Sequence, residues 1–480
     1  MRSLLTTRLL IVFGLLALTA CSDREGDFGG TAQSRQQPVE LLLLENGLPD
    51  PSVLADEQVV HRGNGEEPET LDPHRAVGMP SSHILRDLFE GLTTESPQGD
   101  VIPGVALRWN ISRDARTYTF YLRRDLTWSN GDPLAAEDFV FSLQRAANPA
   151  TAANSARMLL PILNAREVLA GELPVEELGV ALLDEFTLQI TLTGPTPYFL
   201  GLLTNPIAYP VNRRNLEEHG DQFSRPGNLV SNGAYVLARW VPRVQIELEK
   251  NPAFREAERT LIERVHYYPI EDHSTEVKAF RAGEIDWTNE VPNNQFDWLR
   301  KNYPDELVVS PWMGSYFFGF NLTQEPFIDN PSLRKALILA IDRQILAEKV
   351  AQFGEQPSFA LVPPGMDGYV PFSPEYADWP QDERNHEARR LYEQAGYSDE
   401  RPLRIEVRYN TSENHKKMAL AVASMWKQVL GVNTTLVNEE FRVFLQNRAQ
   451  KVLTQVFRAG WVSDYNDPYS FLELFRTGHG

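Results

Sequence analysis

Between Arg404 and Phe457 the sequence switches repeatedly between a two-residue and a roughly 3.6-residue apolar repeat, and few architectures accommodate that alternation. Arg404 to Tyr409 reads as a strand. His415 to Leu430 reads as a helix with Met418, Val422, Met425 and Val429 on one face, and Gly431 is its stop. Val432 to Val437 is strand-like, Glu439 to Ala449 helical, and Val452 to Phe457 strand-like again. Strands separated by helices predict an α/β fold with a parallel-type sheet, because each helix carries the chain back to the edge from which the next strand starts. Asn410 to His415 and Arg458 to Pro468 then follow carboxyl ends of parallel strands. Both open on one rim, where open α/β sheets bind ligands.

The second of these segments, R-A-G-W-V-S-D-Y-N-D-P, holds one cation, two carboxylates, an indole and a phenol. Those groups suit a small zwitterion, whose ammonium and carboxylate each need a fixed counter-charge once they leave water. Asp464 is a candidate for the ammonium, and Arg458 or His415 for the carboxylate. Structural roles stand beside these readings. Asp464 also fits an Asx-turn, Asp467 a turn before Pro468, His415 the first turn of a helix, Arg458 an internal ion pair, and Trp461 a core position.

The amino terminus carries Arg2 and Arg8, no acid, and an apolar stretch from Leu9 to Leu18 too short to span a bilayer, which is the pattern of an export signal. It ends in Leu18-Thr19-Ala20-Cys21, which resembles a bacterial lipobox; an unprocessed signal with a free Cys21 is the alternative. Cys21 is the only cysteine, so the chain has no disulfide, no thiolate metal site and no cysteine nucleophile. Acyl chains on Cys21 would tether it durably to a membrane. Residues 1 to 20 are thus a signal peptide and 21 to 56 a flexible tether rich in Gly, Gln, Asp and Pro.

Strand signals recur at Val59-Val60, Thr117 to Leu122, Phe186 to Leu192 and Val244 to Leu248. Asn330-Pro331 is an N-cap followed by a first-turn proline, opening helical spacing that runs to Gly354. The net charge of −19 becomes −21 on loss of the signal's two arginines, which disfavours nucleic acid as a partner. G-x-S-x-G, H-E-x-x-H and Walker motifs are absent, and none of the nine histidines pairs at i, i+4. The sequence therefore predicts no catalysis, no cofactor and no metal. A secreted hydrolase with paired carboxylates is the alternative from a different class.

Several ordered stretches resemble the oligopeptide-binding proteins of bacterial ABC importers, in extracellular solute-binding family 5. They are G-E-E-P-E-T-L-D-P-H (Gly65 to His74), R-D-L-F-E-G-L (Arg86 to Leu92), T-F-Y-L-R-R-D-L-T-W-S-N-G-D-P (Thr119 to Pro133) and N-G-A-Y (Asn232 to Tyr235). G-E-I-D (Gly283 to Asp286), Y-N-T-S-E-N-H-K-K (Tyr409 to Lys417) and the run from Arg458 continue the series.

The resemblance implies a type II periplasmic-binding-protein fold, with two lobes that close over an extended peptide and an extra domain on the first lobe. Residues 57–80 and 205–310 would form the first lobe, 81–204 the extra domain and 311–480 the second lobe. Asp464 would take the peptide ammonium, and Arg458 and His415 the terminal carboxylate. Gly460 and Val462 would pair through their backbone, Trp461 would line a pocket, and Glu67 would contribute from the first lobe. Val462 stands where relatives can carry a cysteine. Asn321 to Pro326 lacks the lysine that relatives can place there for a dipeptide's carboxylate.

The implied partners are short peptides of about two to five residues, with three or four suiting the remaining cations best, and an ABC permease in the inner membrane. A monomer in the periplasm is expected, anchored through Cys21, with Ser22 favouring the outer membrane. Murein peptides or another small solute are the alternative ligands. Members of this family run on well past the Arg458 motif, so a chain stopping at Gly480 is expected to lack the return that completes the first lobe.

Overall fold

The computed structural model describes residues 54–310, 312–366, 368–463 and 465–476, in two compact units that divide between Val291 and Pro292. The first unit holds β1 (Val59–Gly63), β2 (Thr93–Glu95), β3 (Val101–Pro103), β4 (Ala106–Ile111), β5 (Thr117–Leu122), β6 (Val180–Asp184), β7 (Thr187–Thr191), β8 (Tyr235–Val241), β9 (Gln245–Lys250) and β10 (Arg264–Tyr268). One four-stranded sheet runs β1-β10-β9-β8, a second runs β4-β5-β7-β6, and β2 pairs with β3. Period-2 patterning explains β5: Tyr118, Phe120 and Leu122 are buried, while the residues between them stay half-exposed.

A buried ion pair secures the segment that follows β1. Arg145, on the helix Ala136–Ala147, donates from Nη2 to Asp72 at 2.6 Å and from Nη1 to Asp72 at 3.0 Å, with side chains 12% and 6% exposed. His74 lies beside them, fully buried, its Nδ1 2.7 Å from Arg145 and its Nε2 3.0 Å from the Tyr209 carbonyl. Burial, reinforced by the Arg145 charge, lowers the His74 pKa to about 4.

The second unit contains β11 (Gly314–Phe320), β12 (Arg404–Asn410), β13 (Asn433–Glu439) and β14 (Val456–Val462), in the order β11-β14-β12-β13. β12 is parallel to both β13 and β14, as the alternating pattern requires, and β11 joins β14 antiparallel at the edge. The helix Glu413–Leu430 starts where the Ser412 side chain accepts from the His415 N–H at 3.4 Å, and stops at Gly431, whose φ of +71° suits glycine. Its buried face, with Val422 and Trp426, packs into a core with Leu337, Leu391, Val407 and Val456. The Trp426 indole donates to the Leu337 carbonyl at 2.9 Å, so burying the ring leaves no polar atom unpaired.

Two sequence-based expectations need correction. The helix at Pro331 has its N-cap Asn330, accepting from the Leu333 N–H at 3.1 Å, but it stops at Leu339. Asp342 then caps a new start by accepting from the Ile345 N–H at 3.1 Å, and the helical segment that follows ends at Ala351, before Gly354, with Gln352 in the left-handed region. The last strand is Val456–Val462 instead of Val452 to Phe457, because the seven-residue ladder with β11 spans that stretch, while Val452 and Leu453 lie exposed. Arg458 to Val462, expected as loop, are therefore strand.

Candidate functional site

The ladder between β14 and β11 decides which backbone groups of β14 are free. The Asn321 N–H donates to the Gln455 carbonyl and the Ser463 N–H to the Met313 carbonyl, both at 2.8 Å. Antiparallel pairing alternates, so the odd-numbered residues from Gln455 to Ser463 bond to β11, while Arg458, Gly460 and Val462 direct N–H and C=O to the opposite edge. On that edge β12 pairs only with Val456 and Phe457. Among the described residues, Gly460 and Val462 therefore present an open strand edge with groups at every second residue.

The same even-numbered face carries Arg458. Its guanidinium carbon lies 5.3 Å from the centre of the Tyr316 ring, and its Nε is buried with no hydrogen-bond partner. Tyr316 OH is 3.4 Å from His415 Nδ1, with the two rings 5.7 Å apart. Burial pushes the Tyr316 phenol up to about 12, against the pull of Arg458. Burial, and then the Arg458 charge, lowers His415 to about 4, so its imidazole is neutral at neutral pH. His415 is in the first turn of the 18-residue helix Glu413–Leu430, an end that favours negative charge.

Among the described residues, no carboxylate forms an ion pair with Arg458. Arg408, on the neighbouring strand, differs: Glu406 and Glu439 compensate it. Arg448 likewise makes no ion pair among the described residues, its pKa lowered by burial and by Arg458. Arg458, Arg448, neutral His415 and the Tyr316 hydroxyl thus make this region net positive among the described residues, which favours an anionic ligand group. Tyr316 and Arg448 were not identified from the sequence. The aromatic run Gly314 to Phe320 signals a strand, but nothing local in it specifies β14 as its partner.

The remaining candidates divide. Trp461 lies on the opposite face of β14, packed against a small core of Val362, Met366 and Phe471, with its indole donating to Ser470 Oγ at 3.3 Å. Asp467 accepts from the Tyr469 N–H at 2.8 Å, as a turn residue does. Glu67 belongs to the first unit, where its carboxylate accepts from the Trp240 indole at 2.6 Å and from the Arg243 N–H at 3.2 Å. It borders a pocket of about 350 Å³ shared with Arg243, Ile270, Asp272 and Thr275. Asp464 and Cys21 lie outside the described residues.

Residues 100–480 match the bacterial extracellular solute-binding proteins, family 5 Middle. Over 434 residues the chain is 43% identical to the periplasmic oligopeptide-binding protein OppA of Escherichia coli K12, covering 90% of this chain and 79% of that protein. It is 38% identical over 434 residues to the periplasmic murein peptide-binding protein MppA of the same strain, covering 90% and 80%. The structure of Haemophilus influenzae OppA in complex with RPPGFSPFR matches with a TM-score of 0.74 at 38% identity, over 89% of this chain and 84% of that one. Solved structures of MppA match as well, and the chain shares their type II periplasmic-binding fold. With a family match across most of its length and relatives this similar, the chain belongs to family 5 of the bacterial extracellular solute-binding proteins.

Proposed function

We propose that this chain captures short peptides in the periplasm and delivers them to an ABC-type peptide permease without altering them. The observation that carries this reading is the open edge at Gly460 and Val462 beside the Arg458 guanidinium, whose Nε is buried without a hydrogen-bond partner among the described residues. An extended peptide supplies what both lack: main-chain donors and acceptors at two-residue spacing, and a terminal carboxylate. Main-chain pairing is blind to side chains, so it suits a carrier of broad specificity. His415, neutral and adjacent, would meet the carboxylate of a peptide of different length, and Asp464 the ammonium. Glu67 and Trp461 would border side chains.

Relatives named for oligopeptide binding, one of them solved with a nine-residue peptide, support the same reading. The sheet β1-β10-β9-β8 is built from residues 59–268 with β4 to β7 inserted between its strands, which supports assigning 81–204 to an extra domain on the first lobe. A lipid on Cys21 would retain the monomeric carrier at a membrane; the mass of the mature amino-terminal peptide, with and without Cys21→Ala, tests this.

The decisive experiment is mass spectrometry of ligand that copurifies with the chain, followed by calorimetry with the peptides identified. Intact short peptides binding one per chain are expected. Peptide cleavage during incubation, or copurification of a non-peptide solute alone, would overturn the proposal. The resemblance to MppA favours murein peptides as a second reading, which the same spectra distinguish.

A further inference from the structure

Three strands of the first unit bring together a group of side chains that no sequence window contains. Register places His61 of β1 beside His266 of β10, and His266 beside Glu247 of β9. Val265 and Tyr267 are buried at 7% and 1% exposure, so alternation turns His266 and Tyr268 to the outward face of the sheet, where each stays half-exposed. The His61 and His266 rings are 5.0 Å apart and tilted by 50°. Two imidazoles sharing one tetrahedral ion, with metal–nitrogen bonds of about 2.0–2.1 Å, have ring centres about 5 Å apart.

The hydrogen bonds are those a ligand pair needs. His61 Nδ1 is 2.9 Å from the Tyr268 hydroxyl; with the ring proton donated to that oxygen, the Nε2 lone pair is left free. His266 Nε2 is buried and has no hydrogen-bond partner, a cost that simple ring stacking would leave unmet. Two carboxylates flank the pair: Glu247, which accepts from Arg239 Nε at 3.2 Å, and Asp286, which accepts from the His61 N–H at 2.9 Å.

We propose that His61 and His266 together bind a borderline divalent transition-metal ion of the Zn²⁺ or Ni²⁺ class. Among the described residues no three His, Cys, Asp or Glu side chains are assembled into a metal site. Two imidazoles are therefore the protein ligands and water fills the other positions; Glu247 is already paired with Arg239, so Asp286 is the flanking carboxylate left to offset charge. Such a site is open and exchangeable, unlike the closed four-ligand site of a structural zinc. Imidazole nitrogen selects Zn²⁺ and Ni²⁺ over Mg²⁺, which prefers oxygen.

The test uses the full, tag-free chain stripped with a chelator and titrated with ZnCl₂ against a chromophoric competitor. One Zn²⁺ per chain is expected, undisturbed by excess Mg²⁺. His61→Gln and His266→Gln should each weaken uptake at least tenfold and leave peptide affinity unchanged. In the unsubstituted chain, Ni²⁺ should broaden the imidazole NMR signals of His61 and His266 first, which reports the site even if a variant misfolds. Absence of one-to-one uptake, uptake unchanged in both variants, or first broadening at other histidines would overturn the proposal.

Discussion

The Arg458 guanidinium carbon stands 5.3 Å from the centre of the Tyr316 ring, and Gly460, the cross-strand partner of Tyr316, has no side chain to come between them. A cation held against an aromatic face with its Nε unpaired is preorganised for an anion.

Replacing Arg458 by alanine should weaken binding of peptides with a free carboxyl terminus by about 1.5–3 kcal/mol, the usual worth of a charged hydrogen bond. Peptides amidated at that end should lose far less. Calorimetry on matched acid and amide peptides checks this, and equal losses for both would remove Arg458 from the carboxylate site.

His415 should stay neutral well below the usual histidine range while the site is empty. Its folded pKa is about 4 against an ordinary 6.5, through burial and then Arg458. A depressed folded value means that the unfolded chain takes the proton first. The stability His415 contributes is thus complete above pH 6.5 and is lost as pH falls toward 4. Imidazole ¹⁵N shifts followed between these limits should show this, and Arg458→Ala should raise the midpoint. A carboxylate bound beside His415 should draw in a proton, seen as buffer-dependent binding heat.

Strand pairing at Gly460 and Val462 predicts a particular sensitivity in the ligand. Methylating a peptide nitrogen that donates to β14 removes one main-chain hydrogen bond and should cost about 1 kcal/mol. A scan of singly N-methylated tripeptides should alternate between strong and weak effects. A flat scan would exclude strand addition.

Arg145→Ala should destabilise the first unit by about 3–5 kcal/mol, because it strands the buried Asp72 carboxylate. Burial alone would raise the Asp72 pKa, and the Arg145 guanidinium reverses that. Adding Asp72→Asn should recover part of the loss in denaturant unfolding, whereas a strictly additive pair would place the stabilisation elsewhere.

Much of the architecture was legible in the residues themselves. The Ser412 cap, the Gly431 stop and the alternation in β5 depend on atoms a few residues apart, so a short window contains their causes. The position of β14 was not legible. Val452-Leu453 looks as strand-like as Val456-Phe457, and only the ladder with β11 separates them. The site divides in the same way: Arg458 and His415 announced themselves by charge next to strand ends, while Tyr316 and Arg448 joined them through packing.

By itself the sequence determined the kinds of element, their order and the family. Periodicity and capping act between near neighbours, and the motifs stand in the chain as written. The tertiary structure alone decided that the backbone of β14 is open at Gly460 and Val462, that no carboxylate among the described residues forms an ion pair with Arg458, and that His61 meets His266. Hydrogen-bond register and desolvation settle those points, and both arise between segments that meet only in the folded chain.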